Sequence, residues 1–136
     1  MPKRQPRVVH VAIAVIERRG KLLICRRRPQ DSFGGYWEFP GGKRQHRESW
    51  SACLRRELRE ELGVRVARVT PFGRLYHRLR RREAFFRVFR CRINGGRPRP
   101  LAAQAIRWVS LARLSRYRFP PANAPLLERL RRLSGN

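Results

Sequence analysis

The order of elements along this chain predicts an α/β fold, a mixed sheet flanked by helices in an α/β/α sandwich. Three observations carry that expectation. Short apolar, β-rich segments fill the first part of the chain and return in its middle. A helix-forming stretch, Ser49 to Leu62, interrupts them, and a second helical stretch follows Pro120-Pro121. With 136 residues the chain fits one compact domain spanning residues 1–136, with no internal repeat or linker to divide it.

Taken in order, Val8 to Ile16 is apolar and rich in β-branched residues, and Lys21 to Cys25 repeats that character after Glu17-Arg18-Arg19-Gly20. Strand, glycine-containing turn and strand form a hairpin signal. Arg26 to Tyr36 carries Pro29, Gly34 and Gly35 and reads as a loop. Trp37-Glu38-Phe39 is a short extended piece broken by Pro40-Gly41-Gly42. The helix over Ser49 to Leu62 stops at Gly63, because glycine accepts the left-handed backbone of a helix C-terminus. Strands are expected at Val64 to Thr70, Phe72 to Arg78, Ala84 to Ile93 and Ile106 to Val109, and a last helix at Ala122 to Leu133.

Composition bounds function loosely. The net charge is +25, and almost all of it is arginine, since Lys3, Lys21 and Lys43 are the only lysines. Such charge favours polyanions and allows non-specific affinity for nucleic acid. It fits equally a chain whose arginines are simply solvated, and they spread over the whole length instead of forming one arm. Cys25, Cys53 and Cys91 are odd in number, widely spaced and lack a CxxC pair, which predicts buried thiols and not a disulfide frame or zinc site. No apolar run is long enough to span a bilayer, and basic Met1 to Val9 leads into alternation instead of a signal-peptide core, so a cytoplasmic protein is expected.

The acidic residues are where the chemistry concentrates. Of eight glutamates and one aspartate, Glu48, Glu57, Glu60 and Glu61 fall in one short stretch. At 100° per residue, Glu57, Glu60 and Glu61 share a helix face, beside a Leu54-Leu58-Leu62 stripe that would bury against the sheet. Glu57 and Glu61 repel at i, i+4, by a few tenths of a kcal/mol. That clustering makes sense around a hard divalent cation, which takes oxygen ligands and shares substrate phosphates. The alternative is a solvated face paired with Arg55, Arg56 and Arg59.

From Gly42 the sequence fits Gly-x5-Glu-x7-Arg-Glu-U-x-Glu-Glu-x-Gly-U, where U is apolar, filled by Gly42, Glu48, Arg56, Glu57, Leu58, Glu60, Glu61, Gly63 and Val64. This resembles the Nudix box, with every defining position present. The resemblance implies a Nudix-type α/β/α sandwich and a Mg²⁺-dependent (Mn²⁺ is the other candidate) pyrophosphohydrolase of nucleotides. It implies metal ligands at the Gly41 carbonyl, Glu57, Glu60 and Glu61. In the same pattern Arg56 orients Glu57, the leading candidate to activate water, and Glu48 supports the site from the loop side. Lys43 either steadies the phosphates or is a solvated loop lysine.

Flanking segments resemble the MutT-like branch, which clears 8-oxo-dGTP from the nucleotide pool in the service of DNA repair. They are Trp37-Glu38-Phe39-Pro40-Gly41-Gly42-Lys43, Phe119-Pro120-Pro121-Ala122-Asn123 and the Arg26-Arg27 pair. The branch implies nucleotide contacts at Arg27, Phe39, Arg82 and Asn123. Asn123 offers a donor and an acceptor to a base edge, and could equally cap the last helix. Phe85, Phe86 and Phe89 are expected in the core of a strand, the alternative being a base-stacking platform. One departure from the branch stands out. Ala102 occupies a loop position, just before Gln104, where a further carboxylate is expected, and Glu83 is the nearest candidate to replace it. Two other functions stay open. One is a Nudix hydrolase of a pyrimidine triphosphate or a nucleoside diphosphate sugar. The other is a non-catalytic nucleic-acid-binding module, which an intact box argues against.

Overall fold

The computed structural model describes residues 7–134. Strand β1 (Arg7–Arg18) turns through Arg19-Gly20 into β2 (Lys21–Arg26). Both turn residues have positive φ, 51° and 75°, the mirror-image backbone that matches the twist of a hairpin. Two short strands follow, β3 (Trp37–Glu38) and β4 (Gly41–Lys43), then helix α1 (Trp50–Leu62). After it come β5 (Arg65–Leu79), β6 (Arg82–Gly95), β7 (Ala105–Ser110) and helix α2 (Ala124–Ser134).

The sheet runs β3-β2-β1-β6-β5, with β4 added to β1 and β7 to β2. β1 and β6 are parallel while the other pairs are antiparallel, so the sheet is mixed, as expected. Period-two alternation gives it two apolar faces. Ala12, Ala14 and Ile16 face α1, where Leu54, Leu58 and Leu62 are buried. Ile13 and Val15 face the other way, against Leu126 and Leu130 of α2. This is the α/β/α arrangement read from the sequence.

Helix α1 is closed at both ends by its own residues. The Ser49 hydroxyl accepts the Ala52 amide at 3.0 Å, and Gly63 takes the left-handed conformation, φ 71°, that lets its amide reach the Arg59 carbonyl. These caps fix where the glutamates fall relative to the sheet.

Three expectations need correction. The strands expected at Val64 to Thr70 and Phe72 to Arg78 are one strand, bent by register shifts at Ala67/Thr70 and Pro71/Gly73, because Pro71 lacks the amide an unbroken ladder would use. The last helix begins at Ala124, since Pro121 to Asn123 form a turn of 3₁₀ helix first. Phe85 is no core residue: it faces away from Phe86 and is 40% exposed. The cysteines are free and buried, as expected.

Candidate active site

Strand β4 and helix α1 bring the box residues together. Pairing of Gly41 and Gly42 with Ile13 and Ala12 lays β4 along β1, directly beside the inner edge of α1. The Gly41 amide donates to Glu61 Oε2 at 3.3 Å. Gly42 lies so close to Glu57 that a Cβ there would overlap its carboxylate. A side chain at this position would displace the Glu57 carboxylate from its place beside β4.

Arg56 organises the acidic residues. Its guanidinium donates to both Glu48 oxygens, at 2.7 and 3.0 Å, to Glu57 Oε1 at 2.7 Å, to Glu60 Oε2 at 3.3 Å and to the Lys43 carbonyl at 3.0 Å. Arginine suits this position because its planar fork presents several fixed donors at once. The hydrogen bonds from Arg56 and from the Gln45 amide pull the Glu48 carboxyl down to about 2. Arg56 itself is held firmly protonated by the same contacts, above all those from Glu48.

Glu61 differs from the others. Burial, with the adjacent Glu57 carboxylate acting in the same direction, pushes its carboxyl up to about 8, although the Gly41 amide opposes the shift. Among the described residues no arginine pairs with Glu61, and Arg56, which pairs with Glu57, is shared with Glu48 and Glu60, so the Glu57–Glu61 pair is short of positive charge. Two neighbouring carboxylates held against the backbone of β4 fit a hard divalent cation that completes its shell with water and phosphate. Glu60 is drawn outward to Arg56 with more than half its side chain exposed. Accordingly, no three His, Cys, Asp or Glu side chains among the described residues already stand as a closed metal cage.

The residues expected to touch a nucleotide divide into two groups. Phe39 is buried and its ring stacks on Phe119 at 5.2 Å. Asn123 lies on the turn just beyond Phe119, and its Nδ2 donates to the Pro120 carbonyl at 3.3 Å, capping that turn and leaving Oδ1 to accept. Arg27 sits at the end of β2, donating to Glu38 at 2.6 Å and to the Ser32 carbonyl at 2.6 Å, and so clamps the loop between β2 and β3. Lys43 ends β4 with its side chain exposed.

Arg82 is not brought to this group. Register pairs Ile13, the partner of Gly41, with Val88, so Arg82 and Glu83 lie six and five residues back along β6. At ~3.3 Å per residue that is about 15–20 Å away. Glu83 is also engaged, accepting the Tyr76 hydroxyl at 2.5 Å, so it does not replace the carboxylate missing at Ala102. The Ala102 loop itself stays close. The Leu101 amide donates to the Glu61 carbonyl at 3.0 Å, and Gln104 Nε2 to the Arg27 carbonyl at 2.6 Å.

Sequence reading missed Glu38. Its carboxyl is raised mainly by burial, with Arg27 opposing, and its charge in turn helps to raise Glu61. The signal was available in the alternation of Trp37-Glu38-Phe39. If both aromatics face α2, the glutamate between them must face α1, beside its partner Cys25.

The NUDIX domain family model matches residues 6–130. The CTP pyrophosphohydrolase of Escherichia coli K12 is 35% identical over 122 residues, covering 90% of each chain. The 8-oxo-dGTP diphosphatase of the same organism is 29% identical over 126 residues, 92% of this chain and 98% of the relative. The solution structure of the E. coli ORF135 protein has a TM-score of 0.82 at 32% identity, covering 95% of this chain and 92% of that one. The MutT NUDIX hydrolase from Burkholderia pseudomallei has a TM-score of 0.81 at 26% identity, covering 90% and 97%. Fold, box and relatives agree: the chain belongs to the NUDIX family and is a MutT-like Nudix pyrophosphohydrolase.

Proposed function

We propose that this enzyme hydrolyses a nucleoside triphosphate to its monophosphate and pyrophosphate with Mg²⁺ (Mn²⁺ as substitute), and that 8-oxo-dGTP is its leading substrate. The observation that carries the reading is the Glu57–Glu61 pair beneath Gly41 and Gly42, short of positive charge and next to an arginine that orients one member. A Mg²⁺ ion held by Glu57, Glu60, Glu61 and the Gly41 carbonyl would neutralise phosphate charge and favour attack by water at phosphorus. Glu57 takes the proton of that water, in an orientation set by its 2.7 Å bond from Arg56. Glu48 holds Arg56 from the far side. Lys43, exposed at the mouth, meets the phosphates as a point charge.

The base sits against Phe39 and Phe119, with Asn123 reading its edge. With Nδ2 committed to Pro120, Asn123 presents an acceptor, which suits the N–H groups of an oxidised guanine. The amino group of cytosine would satisfy the same acceptor. A second reading, CTP hydrolysis, is favoured by the 35% identity to a protein named for that activity.

The test is a nucleotide panel with Mg²⁺, comparing kcat/KM for 8-oxo-dGTP, dGTP and CTP and identifying products by phosphorus NMR. Pyrophosphate release with 8-oxo-dGTP ahead of dGTP supports the first reading, and CTP ahead of both supports the second. Release of single orthophosphate would overturn the reaction type.

A further inference from the structure

Helix α1 covers only part of the sheet face it packs on. Beyond its N-terminus that face opens into a cleft of about 360 Å³ between Trp50 and strands β1, β5 and β6. Four of its lining residues, His10, Arg74, Phe85 and Arg87, follow one residue parity. His10 belongs to the series Ala12, Ala14, Ile16 on β1, and Phe85 and Arg87 to the series Phe89, Cys91 on β6. Tyr76 and Arg74 of β5 stand opposite Phe85 and Arg87 in register. All therefore share the α1 face of the sheet, whereas Phe39 and Phe119 lie on the α2 face.

The cleft has a preformed aromatic wall. The His10 ring stacks on Phe85 at 5.5 Å with an 18° angle between planes, and Tyr76 leans on Phe85 at 4.9 Å. Phe85 is 40% exposed and Tyr76 51%; His10 and Tyr76 flank the Phe85 ring, while Tyr76 lies on β5, which ends the strand order. Trp50 meets His10 edge-on at 5.9 Å, and the guanidiniums of Arg44 and Arg87 each lie 5.0 Å from its ring.

The charges beside this wall are uncompensated. Arg74 and Arg87 occupy directly opposed positions on antiparallel strands, where like charges repel. Arg44, Arg74 and Arg87 form no ion pair among the described residues. Glu83, the carboxylate at this end of β6, is held by the Tyr76 hydroxyl. Exposed rings next to unpaired arginines suit a ligand with both a π-face and an anionic group. A duplex offers its backbone but hides its base faces, and an acidic peptide offers charge without a flat ring.

We propose that this cleft is a second binding site, which stacks an unpaired nucleobase on Phe85 and Tyr76 and holds the attached phosphate with Arg44, Arg74 and Arg87. Free nucleotide and single-stranded nucleic acid present the same chemistry. The site is separate from the one that binds substrate for hydrolysis, so Phe85→Ala leaves the hydrolysis rate unchanged.

The test uses the full chain in chelator, with three probes: a labelled oligothymidylate of about 12 nucleotides, thymidine monophosphate, and dextran sulfate as a polyanion without bases. Phe85→Ala is expected to weaken oligothymidylate binding by about five- to a hundredfold, the worth of one lost stack, while dextran sulfate binding is unchanged. Arg74→Ala should weaken binding and reduce its salt slope by about one. In NMR spectra the Trp50 indole signal should shift on binding while that of Trp37 stays. Thymidine monophosphate that saturates the same signal identifies free nucleotide as a ligand; saturation by the oligomer alone identifies nucleic acid. Should Phe85→Ala lower the melting temperature, Tyr76→Ala removes the more exposed ring and serves instead. Oligomer binding unaffected by either ring substitution, or an unmoved Trp50 signal, overturns the proposal.

Discussion

The two ends of helix α1 handle charge in opposite ways. Toward its C-terminal half, one arginine serves three glutamates, and a fourth glutamate, Glu61, has no cationic partner among the described residues. Around its N-terminus, Arg44 and Arg87 lie over an aromatic ring, and no carboxylate among the described residues pairs with them. In a chain of net charge +25, the first arrangement is the one that random placement would least produce. The comparison teaches that bulk charge says little about a site. What matters is where counter-charge is missing: a deficit of positive charge at Glu57 and Glu61 invites a cation, and a deficit of negative charge near Trp50 invites an anion.

The sharpest way to break the first half of this comparison is Glu57→Gln. It removes the proposed base while keeping shape, and should lower kcat by about two to four orders of magnitude. Circular dichroism should remain that of the wild type. An active Glu57→Gln enzyme would mean that Glu57 is only a structural partner of Arg56.

Arg56→Ala should come next, acting on stability as well as rate. It leaves Glu48 and Glu57 without their shared partner and should lower the midpoint of denaturant melts. Arg56→Lys should recover little, because one ammonium cannot donate to three carboxylates and a carbonyl in fixed directions.

Proton linkage offers a third probe. Glu61 has its folded pKa raised to about 8, so its contribution to stability is present below its ordinary value of 4.5 and is lost as pH rises through about 8. Glu38 is raised too and acts in the same direction. Glu48 acts oppositely, its contribution being lost only as pH falls toward 2, outside this window. Metal-free protein should therefore melt at progressively lower temperature from pH 5 to pH 8. Glu61→Gln should flatten that slope, and a slope unchanged in the variant would place its origin elsewhere.

The smallest expected effect belongs to the loop at Ala102. Because Leu101 and Gln104 are tied to Glu61 and Arg27, a carboxylate introduced by Ala102→Glu should tighten Mg²⁺ binding a few-fold. Glu83→Ala should change it not at all, since Glu83 belongs to the other end of β6.

How much of this was legible in the sequence follows from how local each feature is. The grouping of Glu57, Glu60 and Glu61, the Leu54-Leu58-Leu62 stripe and the stop at Gly63 all lie within one helix, where spacing alone determines geometry. The distance of Arg82 and Glu83 from the carboxylates is set by the parallel register of β1 and β6, which nothing near those residues encodes. The same holds for the cleft at Trp50, which needs α1 to stop short of the strands that carry His10 and Phe85. Glu38 stands between these cases: alternation reveals its face, and only its cross-strand partner Cys25 reveals that this face points to Glu61.

The most direct measurement of the central claim is a Mg²⁺ titration of the uniformly labelled protein followed by amide NMR. The account predicts saturable shifts confined to Gly41 through Lys43 and Glu57 through Glu61, abolished in Glu61→Gln, with the Trp50 indole signal unmoved throughout. Absence of saturable shifts at Gly41 and Glu61, or shifts that persist unchanged in Glu61→Gln, would contradict it.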